Sequence, residues 1–211
     1  MFETIVKGFI IGLLVSAPMG PVNMLCVQRT LNKGRWSGFI TGLGALLSDL
    51  IYALITLLGM SLVEDFLKKN ELLIQLIGSV VLIFFGYVVF RTNPLKGWTP
   101  QAKIEAKHHF RDFLSSFFIT LSNVFIIFVF ITLYARFTFT PVTEGKGYLM
   151  LALVAISTGA LTWWFFLSLF ISRLRKHFNR RGLAILNKTI GMILIIISVA
   201  GVFMSLFGVT L

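Results

Sequence analysis

The chain has little of what catalysis in water draws on. One cysteine, Cys26, is the only thiol in 211 residues. That excludes an intramolecular disulfide and a dithiol electron carrier, and leaves a packing residue. The three histidines, His108, His109 and His177, stand in basic connections, out of reach of any serine in an apolar run. No glycine-rich phosphate loop, zinc motif or carboxylate pair occurs between the apolar runs. Acids number eight against nineteen Lys and Arg, a formal net charge of +11. In a soluble protein that surplus would point to nucleic acid. Here charged residues make up only 13% of the chain and hydrophobic ones 57%, with a mean hydropathy of +0.91, so the surplus belongs to membrane topology. Neither an enzyme nor a nucleic-acid partner is expected, and no cofactor is implied.

What is abundant is long apolar sequence. Six stretches almost free of charge, about 4–27, 36–60, 72–90, 113–135, 148–171 and 183–207, are long enough to cross a hydrocarbon layer about 30 Å thick at about 20 residues each. The first has Glu3 ahead of Lys7 and an apolar run too long for a leader, so it is read as a span. The expectation is an all-α membrane protein of six transmembrane helices, a single transporter domain over 1–211 set in the bilayer.

Lys and Arg are spread unevenly over the connections. Those after the first, third and fifth spans carry three (Arg29, Lys33, Arg35), five and six, whereas the other side holds five in all. The positive-inside rule puts the richer side, including a basic loop over about 91–112, in the cytoplasm and both termini outside. Trp36, Tyr52, Trp98 and Tyr148 are read as interfacial aromatics.

The halves of the chain resemble each other. Phe9-Ile10-Ile11-Gly12 through Ser16-Ala17-Pro18 lies on Phe113-Leu114-Ser115-Ser116 through Thr120-Leu121-Ser122. Gly44-Ala45-Leu46 lies on Gly159-Ala160-Leu161, and Ile77-Gly78 on Ile190-Gly191. A duplicated unit of three spans is odd-numbered, so its second copy enters the membrane upside down. Two inverted repeats, about 1–92 and 113–211, would set a solute site between them at mid-membrane and offer inward-open and outward-open states.

Pro18-Met19-Gly20-Pro21 interrupts the first span. Pro18 and Pro21 cannot donate to the carbonyls of Leu14 and Ala17, and in lipid nothing else would satisfy these. Such a break is read either as a solute site lined by protein or as a kink that serves packing. If the helix restarts at Pro21, the free N–H groups of Val22, Asn23 and Met24 favour an anion.

Asp49 is the one ionisable residue deep in a span. A charge there costs about 2.5–3.5 kcal/mol on insertion scales, which marks the position as functional. It is read as a carboxyl that takes up and releases a proton; the competing reading is a permanently protonated acid bonded to a neighbouring helix. Ser16, Asn23, Ser48, Thr120, Ser122 and Asn123 could share its cavity. Gly34, Gly38, Gly42 and Gly44 form a small-residue ridge expected to pack a neighbouring helix.

Ser16-Ala17-Pro18-Met19-Gly20-Pro21-Val22-Asn23, then Gln28-Arg29-Thr30-Leu31-Asn32-Lys33-Gly34-Arg35, with Gly38, Gly42-Leu43-Gly44 and Ser48-Asp49 after them, resemble the signature of the lysine exporter (LysE/RhtB) family. Leu121-Ser122-Asn123, Gly159 with Trp163-Trp164, and Asn187 with Gly191 extend the likeness. The resemblance implies a bacterial inner-membrane efflux protein for amino acids or related metabolites, driven by an ion gradient. One departure is Val124, where the family typically has proline after the asparagine; the second half therefore lacks the matching proline break, and with it the expected symmetry of gating.

The expected function is secondary active export by alternating access. The solute carboxylate would meet the amides after Pro21, its ammonium would approach Asp49, and an incoming proton would compete for the same carboxyl. Divalent metal efflux and a non-transporting membrane interaction protein are the alternatives. A homo-oligomer is compatible with either.

Overall fold

The computed structural model describes residues 1–18, 20–62, 71–91, 108–123, 125–174 and 180–206. Among them lie eight helices and no strand: α1 (Phe2–Ser16), α2 (Pro21–Lys33), α3 (Arg35–Leu62), α4 (Glu71–Arg91), α5 (His109–Leu121), α6 (Phe125–Arg136), α7 (Lys146–Leu174) and α8 (Arg180–Leu206). Most of the basic loop expected over 91–112 falls outside the described residues, as do Met19, Trp98, Val124 and His177.

Among the described residues, α3 and α7 are each long and apolar enough to cross a bilayer unbroken. The first and fourth expected spans are each divided into two helices, α1–α2 bent by 77° and α5–α6 by 72°. Each bent pair passes as one span only when its two helices are taken together, which gives two to four crossings. The third and sixth expected spans coincide with α4 and α8, whose apolar stretches among the described residues are shorter, Ser79–Arg91 and Gly191–Ala200. The helical class is as expected. The break without a proline, in the second half, is not.

Helix pairs recur in reciprocal sets. α1 lies on α7 and α5 on α3; α6 touches α3 and α2 touches α7; α1 meets α6 and α5 meets α2. Glycines allow the closest of these approaches. A Cβ on Gly44 would run into the carbonyl of Phe113, and one on Gly159 into the carbonyl of Phe9, the two residues that the sequence halves align. Gly86 and Gly191 each face the other's carbonyl where α4 crosses α8.

The core is two apolar clusters. One gathers Ile11, Leu14, Tyr52, Phe130, Leu133, Tyr134 and Ile156; the other Cys26, Val27, Ala45, Ala160 and Trp164. Leu50 and Trp163 pack against both. Large apolar side chains such as Phe84, Phe118, Phe166 and Ile196 lie exposed, the distribution of a chain solvated by lipid rather than water.

The small-residue ridge divides by role. Gly38 packs on Thr30, Gly42 under the indole of Trp164, and Gly44 on α5. Gly34 packs against nothing: with φ at +101° it is the turn that reverses α2 into α3, a conformation that a Cβ would strain.

Candidate functional site

The first break is tied by one asparagine. α1 ends at Ser16, the Gly20 N–H bonds back to the Pro18 carbonyl at 2.8 Å, and Pro21 opens α2, where its missing N–H costs nothing. Asn23, buried in the first turn of α2, donates from Nδ2 to the carbonyls of Ser16 (3.0 Å) and Pro18 (2.9 Å). Its Oδ1 accepts from the Trp163 indole of α7 at 3.0 Å. Asn23 is thus fully occupied in closing the chain on itself, and two carbonyls released at the break, those of Ser16 and Pro18, have a donor inside the protein.

The second break is tied from outside. Tyr52, buried on α3, donates its hydroxyl to the Leu121 carbonyl at the end of α5, and Ser48, one turn earlier, donates to the Phe117 carbonyl at 2.7 Å. Tyr52 is therefore no interfacial aromatic. Its position ten residues short of the helix end reads as a belt residue only until α5 is laid against it. Ser122 donates to the carbonyl of Phe118 within its own helix, and both Ser122 and Asn123 are exposed. The Asn123 backbone caps both sides of the break, accepting from Ile126 and donating to Thr120.

Asp49 lies beside Ser48 in the middle of α3, 5% exposed, between the buried Ala45 and Ala53 one turn either way. Among the described residues its carboxyl has no hydrogen-bond partner, which is not what a structural acid bonded to a neighbouring helix would show. Three further polar groups are buried without partners in the same core. The hydroxyls of Ser16 and Thr120 stand in the last turn before each break, and the third is the N–H of the Trp164 indole, whose ring carbons pack on Gly42. The structure thus joins Ser16, Asn23 and Trp163 at one break, and Ser48, Tyr52 and Leu121 at the other. Asp49 shares α3 with the second group.

A buried ionic cluster was not visible from the sequence. Asp112, 1% exposed in the first turn of α5, pairs with Arg29 Nε and Lys33 Nζ of α2, both at 3.1 Å. Arg29 also reaches Thr41 of α3 (3.0 Å), the Asp112 carbonyl (2.7 Å) and Ser115 (2.6 Å). Asp112 sits at the edge of a basic run and reads there as a solvated charge. The one signal was an acid opening an apolar helix, where the helix dipole favours it. Among the described residues no three His, Cys, Asp or Glu side chains gather as a metal site.

The lipid-solvated bundle thus holds two interrupted apolar spans and, in α3, a buried acid next to the serine that ties the second of them. The model of LysE type translocators matches residues 13–211. The chain belongs to the LysE family. LysE proteins are transporters rather than enzymes, and this one is a multi-pass membrane protein. It is 28% identical over 192 residues, 89% of each chain, to the "Putative amino acid efflux protein YcgF" of Bacillus subtilis (strain 168). No solved structure matches it.

Proposed function

We propose that this LysE protein is a secondary active exporter of amino acids or related small metabolites in the bacterial inner membrane, proton-coupled, with both termini outside. The observation that carries this reading is Asp49, a carboxyl in the bundle core with every neighbouring break already tied and no partner of its own. A buried acid without a bond is a standing cost unless a cation or a proton visits it. The solute ammonium and the proton compete for that carboxyl. The solute carboxylate lies against the N–H groups of Val22 and Asn23 at the start of α2, the Met24 N–H being taken by the Gly20 carbonyl, and the unpartnered hydroxyls of Ser16 and Thr120 complete its polar surroundings.

The reciprocal helix pairs support two inverted repeats, α1–α4 and α5–α8, and so two equivalent states for alternating access. Each charge carried through the full potential supplies about 2.3 kcal/mol per 100 mV. The name of the Bacillus relative favours amino acids over metal cations as cargo, and the scarcity of soft ligands agrees.

The test is flux in proteoliposomes under an imposed pH gradient. Asp49→Asn is expected to abolish proton-driven amino-acid transport while the variant elutes and melts like the parent protein. Wild-type coupled flux in that variant would remove Asp49 from the mechanism, and a metal-driven flux without amino-acid flux would change the cargo.

A further inference from the structure

We propose that Arg29, Lys33 and Asp112 form an ionic latch that closes the basic, cytoplasm-facing end of the transport path and has to part before solute enters from that side. The proposal rests on the alternating-access reading above and gives it a moving part.

The latch joins the elements that would have to separate. Arg29 and Lys33 end α2, the second half of the broken first span. Asp112 and Ser115 begin α5, the first half of the broken fourth span, and Thr41 adds α3 through Arg29. With 13% and 9% of their side chains exposed, Arg29 and Lys33 form the lip over a carboxylate that is 1% exposed. Water reaching that lip can take over each hydrogen bond the cluster makes. An ionic closure can therefore open by hydration where an apolar one cannot.

The opposite corner shows the contrast. Aligning the halves on Phe9 with Phe113 and on Gly44 with Gly159 puts Gly8, Ile11, Leu133, Phe137 and Ile156 where this end has Asp112, Ser115, Arg29, Lys33 and Thr41. All five are buried, and the last four lie in one apolar cluster. At these five matched positions one end carries charge and the other hydrocarbon, with the nearest charges at the second end on the buried Arg136 and the Glu3–Lys7 pair rather than in a contact between the two broken spans.

The chain carries its own reporter. Cys26, its single thiol, is fully buried one turn before Arg29, with Sγ on the Gly38 carbonyl at 3.3 Å. In inside-out membrane vesicles, Asp112→Asn is expected to raise the rate of Cys26 alkylation by a membrane-impermeant maleimide about tenfold or more. In right-side-out vesicles the rate is expected to stay at the parent level. Lys33→Met tests the same latch from its exposed side and decides the matter if Asp112→Asn does not fold. Unchanged labelling in the folded variants overturns the latch, as does an equal rise from both faces, which is general loosening. A rise confined to right-side-out vesicles overturns its cytoplasmic assignment. Because the readout is labelling and not flux, loss of the exporter reading through Asp49→Asn and loss of the latch register separately.

Discussion

The two breaks reach the same end by different means. Both divide an apolar span into helices at more than 70° to each other. The first does so with two prolines, a glycine and an asparagine that bonds across its own turn. The second has no proline among its described residues, and two hydroxyls of α3 hold its carbonyls from 69 residues away. A proline marks where a helix cannot continue. What helps the interruption persist in lipid is side-chain donors for carbonyls the helices release, here those of Ser16, Pro18, Phe117 and Leu121. The proline at 124 that the family resemblance led one to expect is therefore dispensable here.

That comparison can be broken most directly at Asn23. Asn23→Leu strips the donor from two carbonyls and the acceptor from the Trp163 indole, and a buried group left unpaired costs about 1–3 kcal/mol. It is expected to give the largest fall in melting temperature of any single change at the breaks, measured in detergent by fluorescence-detected size exclusion. A melting point at the parent value would mean that the staple carries no stability. Tyr52→Phe removes one donor from the second break and should cost less, about 1–3 kcal/mol for the Leu121 carbonyl alone. Adding Ser48→Ala should lower stability further because both hydroxyls serve the same segment; additivity can be read from the double-mutant cycle. Pro21→Ala is expected to be the mildest, since the first helical position needs no N–H partner. In a Cys26→Ala background, spin labels on α1 and α2 should keep their distance in that variant. A straightened helix would show that proline, not Asn23, maintains the angle.

The sequence made the first break legible because its cause is local: Pro18, Gly20 and Pro21 announce it without reference to anything else. Asp49 was legible for the same kind of reason, as a lone acid in an apolar run. The second break and the ionic cluster were not, because Tyr52, Ser48, Arg29 and Asp112 acquire their roles only when segments 69 to 83 residues apart meet. Asn23 was legible as polar and buried, yet its use as a staple depended on the path of the turn it closes. Gly34 was misread as a packing residue because its four-residue spacing from Gly38 and Gly42 is the same whether a glycine lines a ridge or bends the chain ahead of it.

Gly34 is also the shortest link between helices among the described residues. α2 ends at Lys33 and α3 begins at Arg35, so the two form one stiff hairpin with no slack between them. α6 and α7 are separated by nine residues, 137–145. Any swing of α2 is therefore transmitted to α3 and to the acid it carries, whereas between α6 and α7 the longer connection is anchored separately, by Phe137 and Phe139 buried in the core.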